Sequence, residues 1–293
     1  MSRIPHLPIE EYASDRIPGA PGPCLNSSLA NRLLDRSEFH AWWKHPALNP
    51  EHQAEPPSDL MNRGSAAHAI LLEDASHRID SIPYDDWRTG AAKELRDRSL
   101  AAGRIPLLAR DAEAAQIMAQ RADIALHTSP DLDGLGETWN ESTFWWTETR
   151  TNPQGIDRDC YLKCRPDMVS TDGTIIVSYK TTTLPASPDA YIKTILNAGH
   201  DLQAAFEIAG VEAVCGTRVQ AYVWLVQELE EPYACALIGM EPKLRYYALA
   251  RFDQAVERWA ESLATDRWPS YPNRVAYPEM PAWRLRELEA MEA

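Results

Sequence analysis

The stretch from Cys164 to Thr182, CRPDMVSTDGTIIVSYKTT, carries Asp167 and Lys180 on either side of a predicted tight turn. Asp172-Gly173 favours a two-residue type I′ hairpin, because both central residues of that turn need positive φ and this pair accepts it at low cost. Counting back along both strands from the turn places Asp167 opposite Ser178, with Cβ atoms about 4.5–5.5 Å apart. The hairpin therefore brings a carboxylate, a hydroxyl and an ammonium group together.

This grouping has a structural and a chemical interpretation. Strand alternation puts Ser178 and Lys180 on one face, roughly 6.6 Å apart along the strand. A surface ion pair worth about 0–1 kcal/mol is the simpler alternative. However, Lys180 follows the apolar run TIIV, which is typical of a strand buried on both faces, and a buried lysine needs a partner or a function. In phosphodiester hydrolysis, carboxylates position a divalent cation while an ammonium group orients the attacking water and offsets transition-state charge.

The elements that must position these residues change character along the chain. Residues 1–22 are rich in Pro and Gly and predict an extended N-terminal arm. Residues 23–293 are expected to form one domain. Within it we expect a helical part over 23–130, a strand-rich core over 136–240 and a C-terminal helix over 243–293.

Helical spacing is clearest in the first half of the domain. Asn26, Ser27 or Ser28 is a plausible N-cap for the first long helix. The segment LMNRGSAAHAILLED has its leucines at helical spacing, so His68 points to the same side as the packed leucines. A further helical stretch over 90–126 is interrupted by Gly-Arg-Ile-Pro.

Strand patterns dominate from Gly136. GETWNESTFWWTET, DCYLKCRPDMV and GTIIVSYKT predict three strands separated by Asn-Pro and Asp-Gly. A helix with Gly210 as its C-cap follows, then two strands, TRVQAYVWLVQE and YACALIGM, and a final helix over about 243–266. This order predicts an α/β fold with a central mixed β-sheet flanked by helices.

Composition narrows the class of protein. The net charge of -14 and the pI near 5.0 argue against non-specific coating of nucleic acid, although cations can still line one groove. The absence of a long apolar run or a signal-peptide core predicts a cytoplasmic protein with no membrane partner. Five cysteines, an odd number, argue against a disulfide framework, and Cys160 and Cys164 lack a matching second pair for a metal site.

An aspartate followed one hairpin later by acid-x-Lys is the pattern of the PD-(D/E)XK nuclease superfamily, and the chain resembles its exodeoxyribonuclease VIII (RecE-like) and phage exonuclease branch. The resemblance covers most of the chain. The similar segments are LNSSLANRLLDRSEFHAWW, the Gly-x-x-x-His helix RGSAAHAILLE, the core motifs ESTFWW, KCRPDMV and YKTT, the Gln helix HDLQAAFE, and the closing segments VQELEEPY and RWPSYP.

The resemblance implies a restriction-endonuclease-like core and assigns roles to particular residues. The implied metal positions are His68, Asp167, Ser178 and the carbonyl of Tyr179, and the implied catalytic residues are Lys180 and Gln203, the latter holding the water or the scissile phosphate. The implied cofactor is Mg²⁺, with Mn²⁺ as a substitute. The chain departs from the family pattern at Glu207, where a tyrosine is usual.

The resemblance also implies an activity. It would be 5′ to 3′ resection of double-stranded DNA ends by a homo-oligomer, bacterial or phage-encoded, that leaves single strand for an annealing protein. Hydroxyl and guanidinium groups at helix starts suit phosphate oxygens, so the predicted DNA contacts are Ser27, Ser28, Arg32 and Arg63.

Position 178 is where the family expects Asp or Glu. Serine supplies only a neutral hydroxyl, whereas Mg²⁺ is held chiefly by charged carboxylates, so we expect an inactive or strongly impaired enzyme. Three accounts are open. The chain is a variant changed at this site to bind DNA without cutting it, which the retention of His, Asp and Lys favours; it is a natural pseudo-enzyme; or Glu141, Asp157 or Asp159 has taken over as ligand.

Two other functions remain as alternatives. A non-catalytic DNA-end or protein-binding pseudo-nuclease would use the same fold without a bound metal. A Cas4-like nuclease with an iron–sulfur cluster is not favoured, because no four cysteines have cluster spacing.

Overall fold

The computed structural model describes residues 1–52, 63–151 and 154–292. Its strands are β1 (Ser2–Ile4), β2 (Cys24–Leu25), β3 (Ile79–Ile82), β4 (Ile105–Leu108), β5 (Thr138–Asn140), β6 (Thr143–Thr151), β7 (Asp157–Cys164), β8 (Met168–Ser170), β9 (Ile175–Thr182), β10 (Ala221–Glu228) and β11 (Cys235–Gly239). Its helices are α1 (Ile9–Ala13), α2 (Ser27–Asp35), α3 (Glu38–Lys44), α4 (Arg63–Glu73), α5 (Gly90–Ala101), α6 (Ala109–Thr128), α7 (Pro188–Asn197), α8 (His200–Cys215), α9 (Pro242–Thr265) and α10 (Ala282–Glu292).

The strands form two mixed sheets and one small parallel pair. One sheet has the order β1-β6-β7-β2, the second has the order β11-β10-β9-β8-β5, and β3 pairs with β4. Within the second sheet β9 and β10 run parallel, and α7 and α8 connect them. The predicted α/β class, with mixed sheets flanked by helices, is confirmed. Hydrogen bonding divides the expected single central sheet into separate sheets.

Two strands expected to be continuous are each broken in the middle. The segment GETWNESTFWWTET forms β5 and β6, and the break contains Glu141, which has a φ of 47°. The segment DCYLKCRPDMV forms β7 and β8, and its break ends at Asp167. The two breaks lie side by side, since the Glu141 N–H donates to the Asp167 carbonyl at 3.1 Å. Each of these two segments passes from one sheet to the other at its break.

The predicted register of the hairpin is correct and the predicted turn type is wrong. Met168 pairs with Val177 and Val169 with Ile176, so one further pair places Asp167 opposite Ser178. Of the two expected turn residues only Gly173 has positive φ, at 74°. The Asp172 carboxylate instead accepts from the Thr174 N–H at 2.9 Å, and this side-chain bond shapes a longer loop.

Helix α8 packs between the first sheet and α9. The Phe206 ring contacts those of Trp146 and Phe252, with centroid separations of 6.4 and 4.9 Å. Gly210 is not the predicted C-cap, because α8 continues to Cys215 and ends at Gly216, where φ is 68°. A Cβ at Gly210 would lie 2.6 Å from Trp146, so glycine permits close packing there.

The N-terminal residues do not form the predicted extended arm. β1 pairs with β6, with Ser2 opposite Trp145, and α1 follows it. Leu7 and Ile17 are buried in a small cluster with Trp145. Apolar side chains in this segment therefore pull it onto the first sheet, a long-range effect that Pro and Gly content alone does not indicate.

The helical expectations hold in part. Asn26 is the N-cap of α2, where its side chain accepts from the Leu29 N–H at 2.9 Å. The break expected within 90–126 contains β4, so the part 23–130 includes an unpredicted parallel strand pair. The predicted helical start at Leu60 lies outside the described residues. The C-terminal helix ends at Thr265, and 266–281 separates it from α10. No helix in the described ranges is long and apolar enough to cross a membrane.

Candidate metal centre

Asp167 is the central residue of the candidate site, at the break between β7 and β8. Its Oδ2 accepts hydrogen bonds from the Tyr179 N–H at 2.7 Å and the Ser178 hydroxyl at 3.0 Å. The Lys180 ammonium lies 3.9 Å from the same oxygen. The hairpin register thus brings together the three residues that the sequence predicted to converge.

The surroundings of Asp167 keep it ionised. Burial by itself would raise its pKa, because a charged carboxylate loses solvation. The Lys180 charge and the hydrogen bond and charge of His68 act in the opposite direction, and the net result is a pKa of about 2. A fixed negative charge is therefore present at the base of the site.

His68 joins the site from α4. Its Nε2 lies 3.4 Å from Asp167 Oδ1 and 3.7 Å from Glu141 Oε1. Its ring stacks on that of Tyr179, with centroids 5.8 Å apart and an interplanar angle of 11°. Burial lowers its pKa, but Asp167 and Glu141 raise it more, so the net pKa is above the ordinary value. The ring nitrogen thus occupies a place where two carboxylates favour positive charge.

Glu141 is the acid that completes this cluster. Its Oε2 accepts from the Arg165 guanidinium at 2.6 Å, and Arg165 also donates to the Leu7 carbonyl at 2.6 Å. Burial and the nearby Asp167 charge raise the pKa of Glu141, and Arg165 and His68 oppose this rise. Arg165 thus fixes one carboxylate oxygen while the other faces His68.

The donor atoms suit a hard divalent cation. One ligand atom each from His68, Glu141 and Asp167 lie within 4.8 Å of one another. The two carboxylate oxygens are the ligand type that suits Mg²⁺ and Mn²⁺, whereas an imidazole nitrogen is more usual for Zn²⁺ and other transition metals. Asp157 and Asp159, also considered as substitutes, instead accept from threonine hydroxyls along β6, each at 2.7 Å. Of the three candidate substitutes, Glu141 is the one in this cluster.

A second polar group lies behind the site, on α8 and β10. The Gln203 amide donates to Glu207 Oε1 at 2.7 Å, and the Tyr222 hydroxyl donates to Glu207 Oε2 at 2.8 Å. Burial, followed by the Asp167 charge, raises the pKa of Glu207 to about 7. Gln203 therefore belongs to a network next to Asp167, and its predicted contact with water or phosphate stays a prediction.

Ser178 and Tyr179 contact Asp167 in ways that the metal-ligand assignment did not include. Ser178 is fully buried and donates its hydroxyl proton to that carboxylate. The Tyr179 backbone N–H does the same, and its phenol donates to the side chain of Gln227. Roles for the Ser178 hydroxyl and the Tyr179 carbonyl as metal ligands stay predictions.

Helix α2 carries three of the four predicted DNA contacts. Ser28 is exposed, and Ser27 and Arg32 are half-buried. The Asn31 amide on the same helix donates to the Gly199 carbonyl at 3.3 Å, immediately before α8. This bond ties α2 to the helix that carries Gln203, which is compatible with the predicted contacts but does not test them.

Arg63, the fourth predicted DNA contact, begins the helix that carries His68. Its guanidinium lies 3.0 Å from the Asp111 carboxylate, and its side chain is 32% exposed. An arginine already paired with a carboxylate has to exchange that partner to bind phosphate. Its role therefore stays a prediction.

Comparison with known proteins shows a similarity of fold. No protein-family model and no curated protein sequence matches the chain. The crystal structure of a protein described as "Putative exonuclease" from Eubacterium rectale matches with a TM-score of 0.56 and 12% identity, over 96% of this chain and 98% of that one. A second structure, of SSO0001, matches with a TM-score of 0.27 and 12% identity over 71% of this chain and 79% of that one, and a TM-score this low does not indicate a shared fold.

Proposed function

We propose that the protein is a metal-dependent nuclease that hydrolyses phosphodiester bonds at the ends of duplex DNA. The observation that carries this proposal is the cluster of His68, Glu141 and Asp167, with the Lys180 ammonium 3.9 Å from Asp167. The fold shared with the Eubacterium rectale protein supports it at the level of architecture.

The residues divide the chemical work between holding a cation and handling water. His68, Glu141 and Asp167 would hold Mg²⁺ or Mn²⁺, which when bound polarises a phosphate oxygen and makes a water more acidic. Lys180 has a 20% exposed side chain, so its ammonium can reach a water or phosphate that enters from solvent. Its positive charge offsets the negative charge that grows on the phosphorus oxygens.

Ser178 sets the expected level of activity. Its neutral hydroxyl cannot replace a charged ligand, and this led to the expectation of an impaired enzyme. Glu141 supplies a second carboxylate from the break between β5 and β6, so the cation is not left with Asp167 as its single acid. We infer that Glu141 takes over the missing ligand role. We favour this account over the one in which position 178 was changed to abolish cleavage.

The finer features of this activity rest on the family resemblance. They are 5′ to 3′ polarity, an annealing protein as partner, a homo-oligomeric assembly, and a setting in the cytoplasm of a bacterium or a phage-infected cell. Labelled duplexes with one blocked end test the polarity, since a 5′ to 3′ enzyme releases label from the free 5′ end alone.

The central test is cleavage of linear duplex DNA in the presence of Mg²⁺ or Mn²⁺. We expect the parent protein to degrade the linear DNA and to leave a covalently closed circle intact. Asp167→Asn, which keeps the side-chain shape but removes the charge, should abolish degradation. Equal degradation by parent and Asp167→Asn would show a contaminating nuclease and reject the assignment.

A second candidate function follows from the neutral residue at 178: a pseudo-nuclease that binds DNA ends or a protein without metal. Titration calorimetry with Mn²⁺ separates the two. The nuclease binds the ion, and binding weakens strongly in Asp167→Asn. A protein that binds DNA ends equally well with and without chelator, and shows no heat with Mn²⁺, is the pseudo-nuclease.

A further inference from the structure

A buried row of polar side chains runs from the candidate metal centre into the protein behind β9. Ser178 donates to Asp167 at 3.0 Å, and Tyr222 donates to Glu207 at 2.8 Å. Tyr222 lies on the same face of the sheet as Ser178, because β10 pairs with β9 with Trp224 beside Ser178 and Tyr222 two residues earlier on β10. Gln203 lies at the far end and donates to Glu207. The two hydroxyl groups of Ser178 and Tyr222 therefore lie between two acids, Asp167 and Glu207.

The two acids differ in how their charge is balanced. Asp167 has Lys180 at 3.9 Å and His68 at 3.4 Å. Glu207 is 2% exposed, and no ion pair to it occurs within the described ranges. Its carboxylate is stabilised by the charge of Lys180, which lies beyond ion-pair distance, and by one amide and one phenol donor. A buried carboxylate in this situation tolerates little additional negative charge nearby.

We propose that Glu207 is a positioning residue that fixes the orientation of Gln203 and requires a neutral side chain at position 178. A carboxylate only accepts hydrogen bonds, so Gln203 must turn its N–H₂ group to Glu207. Its amide oxygen then faces away from Glu207 and can accept a hydrogen bond from water. This first part rests on the proposed function, because it matters only if Gln203 contacts the reacting groups.

The second part concerns charge and stands without the activity. Each hydroxyl in the row commits its single proton to a carboxylate, Ser178 to Asp167 and Tyr222 to Glu207. An aspartate at 178 would remove the first proton and place a third negative charge between two acids. Both hydroxyl donors of the row are already bonded to a carboxylate, so neither can compensate. Ser178 and Glu207 are therefore a matched pair, and the serine is an integral part of this site.

A double-mutant cycle isolates this charge effect. Ser178→Asp and Ser178→Asn add side chains of equal size that differ in charge, so the difference between their Tm values measures the charge alone. The cycle is run in the parent and in a Glu207→Gln background, without metal, in chelator at pH 8.5. We expect the Tm of Ser178→Asp to lie well below the Tm of Ser178→Asn in the parent. This Tm difference should fall by at least half in the Glu207→Gln background.

Glu212→Gln provides the matched control background. Glu212 lies on the same helix, but it is paired with Arg245 at 2.9 Å and its side chain is 35% exposed. The Tm difference between Ser178→Asp and Ser178→Asn should be the same in the Glu212→Gln background as in the parent. An equal gap in the parent and Glu207→Gln backgrounds overturns the pairing. If Ser178→Asp does not fold in the parent, recovery of folded protein with Glu207→Gln supports the pairing, and failure in both backgrounds overturns it.

The positioning of Gln203 has its own readout. In an active parent, Glu207→Gln should lower kcat about 10-fold with little change in KM, because the amide oxygen is no longer held in one orientation. An unchanged kcat overturns this part. If the parent itself cleaves no DNA while the Tm gap closes as expected, the proposed nuclease function fails and the pairing of Ser178 with Glu207 stands.

Discussion

Two lysine–aspartate pairs in the described ranges differ in their access to solvent. Lys163 on β7 lies 2.5 Å from Asp15, with side chains 2% and 1% exposed. Lys180 on β9 lies 3.9 Å from Asp167, with side chains 20% and 9% exposed. Lys163 also donates to the Tyr12 carbonyl at 2.7 Å. The first pair is closed by its protein partners, and the second leaves its lysine loosely held.

The neighbouring histidines follow the same division. His45, next to Asp15, is fully buried, and burial lowers its pKa despite the nearby carboxylate. His68, next to Asp167, is partly exposed and has a raised pKa, because two carboxylates outweigh burial. The closed cluster therefore favours a neutral imidazole, whereas the open cluster attracts positive charge.

This difference separates charges that stabilise the fold from charges available for binding. In the closed cluster the Asp15 carboxylate also accepts the Cys24 N–H at 2.9 Å, so it links the N-terminal segment to the sheet. In the open cluster the Lys180 ammonium has one long contact among the described residues, to Asp167. A partly exposed and weakly bonded lysine can exchange its protein partner for a group of the substrate. Four experiments test this division.

The largest expected effect is a contrast between the two lysines: removing Lys163 should mainly affect stability, and removing Lys180 should mainly affect DNA cleavage. Lys163→Met should lower the free energy of unfolding by about 3–5 kcal/mol, because it leaves Asp15 buried without its partner. Lys180→Met should change stability much less but lower DNA cleavage about 10²–10³-fold, the usual cost of losing one charge-stabilising donor. Urea unfolding and a cleavage assay measure the two outcomes. Similar stability losses in both variants would remove the distinction.

Glu141 tests whether the open cluster binds a cation. Glu141→Gln should weaken Mn²⁺ binding at least about 10–100-fold, the range found even for outer partners of metal ligands. Titration calorimetry on the folded variant measures the change. Asp159→Asn, at an exposed position on β7, is the control and should bind Mn²⁺ like the parent. If both variants keep parental affinity, Glu141 is not a ligand.

The closed cluster predicts an acid-sensitive stability. The folded-state pKa of His45 lies below its ordinary value of 6.5, so below that pH the unfolded chain takes up the proton more readily. His45 therefore costs stability progressively as the pH falls from about 6.5 towards its folded pKa. His45→Gln should flatten the decline of Tm between pH 7 and pH 5. His127→Gln, on the surface of α6, should leave the curve unchanged; an equal slope in the parent and His45→Gln would exclude this source.

The smallest expected effect concerns DNA binding by helix α2. Arg32→Ala should weaken binding of a short duplex several-fold and reduce the slope of log K against log salt by about 1, as for one lost phosphate contact. Fluorescence anisotropy at several salt concentrations measures both. Arg88→Ala, at a 90% exposed side chain, is the control. Equal slopes for Arg32→Ala and the parent would reject Arg32 as a phosphate contact.

The hairpin shows how much of the site could be predicted. Asp167, Ser178 and Lys180 could be placed together from the sequence, because the register of a short hairpin is fixed by side-chain alternation and loop length. The turn type was missed, since the Asp172 side chain provided a bond that a two-residue turn does not use. His68 required a long-range contact, and only the family resemblance indicated it.

Glu141 and Glu207 could be recognised only in part. Glu141 was one of three substitute acids, and the sequence could not choose among them because the choice depends on a strand break with positive φ. Glu207 was visible as a departure from a tyrosine pattern. Its burial beside Tyr222 depends on how α8 packs on β10, which helical spacing does not specify.

The sequence by itself determined the α/β class, most of the strands and helices, and the facing of Asp167 and Ser178, because these depend on periodicities of two and 3.6 residues within short segments. The tertiary structure decided which of two similar lysine–aspartate pairs is open. Lys163 is covered because the N-terminal segment that carries Tyr12 and Asp15 packs against β7. Lys180 remains partly exposed to solvent. Solvent access is set by distant segments of the chain, so no local pattern can specify it.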